Sequence, residues 1–195
     1  CLRVHRELRL VRPAPLFRPP PLAGQCGSPG VKGLGLTGTV TLGPNVQVRG
    51  GYGFIGIQSY RIGWDQTMDL INEGTISADS AGRSITLGST DTTGRLASFT
   101  NLGTVEVTAS NAWLSSNAAV FTNGTGGRVR ILSGGLDLYG TTLTNTGAFE
   151  ISGGATTIRM TGWSGTAGTT SISAGTLTLT GSFGSDQLSS LSHTG

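Results

Sequence analysis

Residues 122–151 read TNGTGGRVRILSGGLDLYGTTLTNTGAFEI, and this stretch decides the fold. It contains two asparagines, Asn123 and Asn145, separated by one full repeat of twenty-two positions. Each is followed within two residues by Gly and then by a short segment with apolar residues at alternate positions, Val129/Ile131 and Phe149/Ile151. Working outward, Asn101 opens TNLGTVEV at the same interval before Asn123, and Asn72 opens INEGTIS at a somewhat longer interval before Asn101. A recurrence of this length marks a chain passing through one supersecondary unit after another, each too small to bury its apolar side alone.

Period-two alternation locates the strands inside each unit. After Asn101 they fall near 104–108, 112–115 and 118–121, and after Asn123 near 128–132, 135–139 and 141–144. Asn145 is followed by 148–152 and 156–160, and a further turn supplies 170–173 and 176–180, with Ala167 standing where a fifth Asn is expected. The Asn72 unit has strands near 75–78, 84–88 and 96–99, and its extra length is placed in the loop STDTTGR (89–95). Three strands in about 22 residues leave two or three residues per turn, the arithmetic of an all-β, right-handed parallel β-helix (a β-solenoid). Stacking such coils puts Ile76, Val105, Val129 and Phe149 in one inward column, with Ala78, Val107, Ile131 and Ile151 beside it. Ser77, Glu106, Arg130 and Glu150 then form an outward row, the last three alternating as acid, base and acid. The amide of Asn both donates and accepts, and Asn tolerates left-handed backbone, so Asn72, Asn101, Asn123 and Asn145 are assigned as a structural turn ladder.

Composition agrees. The 195 residues include 33 Gly, 28 Thr and 20 Ser but only 12% charged residues, which suits strands separated by tight turns. The net charge of +3 belongs to residues 1–32, which hold six of the 13 basic residues and one acid. That segment, interrupted by Pro13, Pro15 and Pro19–Pro21, reads as a basic leader expected to be disordered. Residues 33–71 are expected to form N-terminal strands and a cap, centred on the aromatic stretch at 50–64, and residues 72–195 the coils. The remainder of the chain is near neutral, so no nucleic-acid partner is expected. No apolar run is long enough for a transmembrane helix, and no secretory signal peptide is visible. Cys1 and Cys26 lie outside the repeats, and no cofactor or metal site is expected.

The series INEGTIS, TNLGTVEV, TNTGAFEI and GGLDLYGTTLTNTG resembles the repeats of bacterial secreted β-helix proteins, including autotransporter passenger domains and filamentous-haemagglutinin-like adhesins. The resemblance implies a structural or adhesive segment of a larger protein, exported to the cell surface or beyond. The partners it implies are surface glycans or proteins and the remainder of the chain's own longer protein. Pectin-lyase-like enzymes share the implied fold, so a polysaccharide-binding or polysaccharide-degrading β-helix is the alternative. Their NTD, DD, HG and RIK motifs are absent here, and no catalytic residue is assigned. Trp113 and Tyr139 are the candidates for stacking on a glycan, expected on one side of the second strand with an offset of two residues. Asn123-Gly124-Thr125 matches a glycosylation sequon. The pairs Thr39/Thr41 and Thr142/Thr144, and the triplet Thr176/Thr178/Thr180, have the form displayed by ice-binding solenoids. They are read as out of consecutive register and attributed to β-propensity.

Overall fold

The computed structural model describes residues 3–5, 8–10, 31–32, 38–56, 67–88, 96–164, 168–189 and 191–194. They form an all-β molecule built on one long sheet, with a single short helix among the described residues. The sheet does not close on itself.

Three short strands come first: β1 (Arg3–His5), β2 (Leu8–Leu10) and β3 (Val31–Lys32). The body then proceeds in triplets. The first is β4 (Gly38–Leu42), β5 (Gln47–Gly50) and β6 (Tyr52–Gly56). The second is β7 (Met68–Asn72), β8 (Thr75–Ala78) and β9 (Ser84–Leu87). The third is β10 (Leu96–Asn101), β11 (Thr104–Val107) and β12 (Trp113–Ser116). There follow β13 (Val120–Asn123), β14 (Arg128–Ile131) and three long strands, β15 (Gly135–Asn145), β16 (Ala148–Ser164) and β17 (Thr169–Ser182). Helix α1 (Ser185–Ser189) and β18 (Leu191–His193) end the described chain.

Each member of a triplet pairs in parallel with its counterpart in the next, which gives three ladders. The first runs through β4, β7, β10, β13 and the ends of β15, β16 and β17. The second runs through β5, β8, β11, β14, the starts of β16 and β17, and β18. The third runs through β3, β6, β9, β12, the start of β15 and the middles of β16 and β17. Only β1 and β2 pair antiparallel among the described strands, on β5 and β4. Tyr52–Gly56, expected in a cap, is an ordinary member of the third ladder, while residues 57–66 lie outside the described residues, as does the loop at 89–95.

The strand register matches the spacing of the Asn phrases. Val105 pairs with Ile76 and Val129, and Val129 with Phe149; Val107 pairs with Ala78 and Ile131, and Ile131 with Ile151. These eight residues are buried. On the neighbouring ladder Leu70, Phe99, Phe121 and Leu143 form a second buried column, with the Phe99 and Phe121 ring centroids 5.1 Å apart. Alternate residues of the body strands thus meet in one core, the consequence of a side-chain period of two.

The expected breaks at residue 140 and between 152 and 156 do not occur. β15 pairs with β12 over its first residues and with β13 over its last, so the chain rounds a corner while staying extended. β16 and β17 do the same and pair with each other along most of their length, and Tyr139–Gly140 keep partners in Arg159–Met160.

Candidate functional site

Asn72, Asn101, Asn123 and Asn145 each end a strand of the first ladder, in register and buried. The Nδ2 of Asn72 donates to Oδ1 of Asn101 at 2.8 Å, that of Asn101 to Asn123 at 2.9 Å, and that of Asn123 to Asn145 at 2.8 Å. The second N–H of each amide reaches a main-chain carbonyl of the next triplet, at Thr104, Arg128 and Ala148 (3.2, 3.2 and 3.0 Å). Asn145 donates to the Thr169 carbonyl at 3.3 Å and to Thr170 Oγ1 at 3.4 Å; Ala167 lies outside the described residues. At the other end Leu42 occupies the register of Asn72, and Asn72 Oδ1 is buried without a hydrogen-bond partner.

None of the four has a positive φ; among the described non-glycine residues that conformation belongs to Asn111 (φ 54°). The amide, with its two donors and one acceptor, therefore accounts for the asparagines, and left-handed backbone does not. The sequon at Asn123 has no use in the folded chain, since this side chain is fully buried with its Nδ2 doubly engaged. Glycines beside the Asn line are set by close approach. A Cβ on Gly74 would collide with the Val46 carbonyl oxygen, one on Gly103 with that of Gly74, and one on Gly147 with that of Gly127.

The outward side of the second ladder carries charge. Glu106 pairs with Ser77 and Arg130, and Arg130 with Glu150, all on one face. Arg130 lies 3.6 Å from the Glu106 carboxylate and 3.4 Å from that of Glu150, which Arg128 approaches at 3.1 Å. Ser77 Oγ donates to Glu106 at 3.0 Å, and Arg49 bridges Asp79 at 2.7 Å. These carboxylates are engaged by arginines along an outward row and do not face each other across a cleft, as glycoside hydrolysis requires. Asp137 stands between Ser115 and Thr157 on the third ladder, away from them.

Trp113 and Tyr139 lie on the outward side of the third ladder and are 40% and 38% exposed. Trp113 pairs with Gly135, so Tyr139 is four residues further along, not two. The two-residue insertion at Gly126-Gly127 is followed by a compensating shorter turn: five residues separate β11 from β12, but three separate β14 from β15. The Trp113 ring lies against Gly135, where a side chain would overlap it. Tyr139 is covered by the Arg159 guanidinium, 4.8 Å from its ring centroid. An aromatic that the sequence reading missed, Tyr52, shares the row of Trp113 through Ser84 and is 55% exposed. Its signal was present in the alternation of β6, hidden by the assignment of that stretch to a cap.

The outward side of the first ladder is built from small hydroxyls. One row runs Thr41, Ile71, Thr100, Thr122, Thr144, Ser164, and the row beside it Thr39, Asp69, Ser98, Val120, Thr142, Gly162, Ser182. Thr39/Thr41 and Thr142/Thr144 share a ladder but, as expected, not consecutive rungs: Asp69/Ile71, Ser98/Thr100 and Val120/Thr122 lie between them. Thr176, Thr178 and Thr180 belong to the third ladder.

An open surface hollow of about 480 Å³ lies at the glycine corner beside Gly127, Arg128, Gly147 and Gly168. Among the described residues no cluster of three or more His, Cys, Asp or Glu side chains could hold a metal ion, and no helix is long and apolar enough to cross a membrane. No protein family, curated protein or solved structure matches the chain.

Proposed function

We propose that the chain is a right-handed parallel β-solenoid, three strands to a coil of about 22 residues, serving as a non-catalytic stalk or adhesive segment of a larger secreted or surface-displayed bacterial protein. The observation that carries the reading is the unbroken hydrogen-bonded line from Asn72 to Asn145, set beside continuous apolar columns. Such a line ties each triplet to the next and suits an element that transmits load along its length. Right-handedness rests on the strong bias of parallel crossovers within one sheet. The resemblance of the Asn phrases to exported bacterial repeats supports the location and the link to a longer chain.

Adhesion would engage a glycan through the exposed rings of Tyr52 and Trp113, which offer the apolar surface on which sugars stack, and through the side of Tyr139 that the Arg159 guanidinium leaves open. Two measurements test the reading. Small-angle scattering of the monomer should give the cross-section of a uniform rod, and a compact globular profile would refute the solenoid. Antibodies to the repeat body should label intact source cells; labelling only after lysis would refute display. For adhesion, Trp113→Ala/Tyr139→Ala should abolish retention on a glycan array, and unchanged retention would remove these residues from the contact.

A further inference from the structure

We propose that β1, β2 and β3 form a guard on the first triplet, and that the surface they cover docks the opposite end of a second copy of this chain. The proposal goes beyond the stalk reading and needs only the three ladders. Each triplet inside the body is covered on both sides by its neighbours. The first is covered instead by a segment expected to be disordered: β2 lies on β4, β1 on β5 and β3 on β6, one strand for each ladder. β1 and β2 run against the direction of the body strands, so they close two of the ladders and do not continue them. They are three residues long and contain Arg3, His5 and Arg9. Short, charged strands keep a sheet edge from pairing with another chain.

The other end has no such protection. β17 pairs with β16 along most of its length, but on its far side only Thr170–Ile172 have a partner among the described residues, in β18. The edge that continues to Ser182 lies open, and neither a charged residue nor a proline falls between Met160 and Gly184. Leu177 and Leu179 continue, through Thr156 and Ile158, the rows of Leu136 and Leu138, which are fully buried. At the end of those rows they pack on the core but are only partly buried. A long, uncharged edge beside half-covered leucines is a triplet interface with one side missing.

A second copy fits there because its own first triplet carries the matching rows. Its β6 continues the third ladder on β17 and sets Gly53 and Ile55 over Leu177 and Leu179, the rows they already share with Ile85 and Leu87. Its β5 continues the second ladder on β18 and sets Val48 over Leu191, both in the row of Ile76. One end meets the opposite end, so the contact is heterologous and generates a linear array. Six body strands of the third ladder, about 4.8 Å apart, set a repeat of about 29 Å per copy. While β1, β2 and β3 hold the first triplet, its edges are occupied and the array does not start.

The test is the assembly state of the full chain, by sedimentation velocity and negative-stain electron microscopy. The unmodified chain should be monomeric. Val4→Pro/His5→Pro/Leu8→Pro/Arg9→Pro should strip β1 and β2, because adjacent residues of a strand donate to opposite sides and proline removes the donor. This variant should form linear particles that lengthen with concentration and repeat at about 29 Å. Adding Leu177→Lys places a charge that a seated copy would bury unpaired, and should return the variant to monomers. A folded proline variant that stays monomeric would overturn the proposal, as would a closed dimer, a shapeless aggregate, equal assembly of the unmodified chain or indifference to Leu177→Lys. Hydrogen exchange in the unmodified chain tests the guard whether or not the proline variant folds. Amides at 40–42 and 47–49 should all exchange slowly, alternate ones bonded to β7 and β8 and the rest to β1 and β2. Fast exchange at every second position would leave the first triplet unguarded and sink the idea.

Discussion

The Asn corner of the first ladder and the charged row of the second are both lines of side chains linked one rung at a time. Their environments differ. Asn72, Asn101, Asn123 and Asn145 are buried, and each amide meets amide or main chain. Glu106, Arg130 and Glu150 have side chains between 20% and 36% exposed, and water competes for every bond. Breaking a link in the first line strands a polar group where water cannot replace it, at about 1–3 kcal/mol for each orphan. Breaking one in the second removes an interaction worth about 0–1 kcal/mol. Repetition alone therefore confers little; burial decides which line holds the triplets together.

The largest effect bounds the buried side of this contrast. Phe121 sits between Phe99 and Leu143 in the column beside the Asn line and is fully buried. Phe121→Ala should cost about 3–5 kcal/mol, read from the urea midpoint at constant m value. Next comes Asn101→Ala, which removes the acceptor of Asn72 Nδ2 and the donor to Asn123 Oδ1. Two orphaned partners predict a loss of about 2–4 kcal/mol. Asn72→Ala should cost less, because its Oδ1 has no partner to lose. Equal losses at the two positions would show that the amides act singly.

The unpartnered oxygen offers a sharper test. Leu42 holds the Asn register one triplet before Asn72, and an amide there could donate to the free Oδ1. Leu42→Asn trades buried apolar surface for a further link. Val48→Asn, at an equally buried site of the second ladder, makes the same trade with no such partner. The first should be more stable than the second by about 1–2 kcal/mol, the worth of one satisfied buried hydrogen bond. No difference would mean that the line cannot be extended.

Most of the strand pattern was legible in the sequence, because one alternation specifies both the buried face and the register. Glu106, Arg130 and Glu150 fell into one row on the strength of the Asn spacing alone. What escaped was turn length. The offset between Trp113 and Tyr139 depends on one turn that lengthens and a later one that shortens by the same amount, and the constant interval between asparagines conceals both changes. The shared ladder of Thr39/Thr41 and Thr142/Thr144 was hidden for a related reason. The pairs between them, Asp69/Ile71, Ser98/Thr100 and Val120/Thr122, do not repeat the Thr-x-Thr pattern, and only pairing shows that one ladder carries all five. Corners taken without a break, as in β15 and β16, left no turn residue to read.

The smallest predicted effect tests the exposed half of the comparison. Arg130→Ala removes both bridges at the centre of the charged row. Glu150 would keep Arg128 at 3.1 Å, and Glu106 would keep the Ser77 hydroxyl at 3.0 Å. The two carboxylates would then stand two rungs apart, about 9.6 Å at the spacing of neighbouring strands. That exceeds the Debye length of about 8 Å at physiological ionic strength, so their repulsion is largely screened. The expected cost is below about 1 kcal/mol, shrinking further as salt rises. A salt-independent loss as large as that of Asn101→Ala would mean that the outer row, too, holds the triplets in place, and the distinction between the two lines would fail.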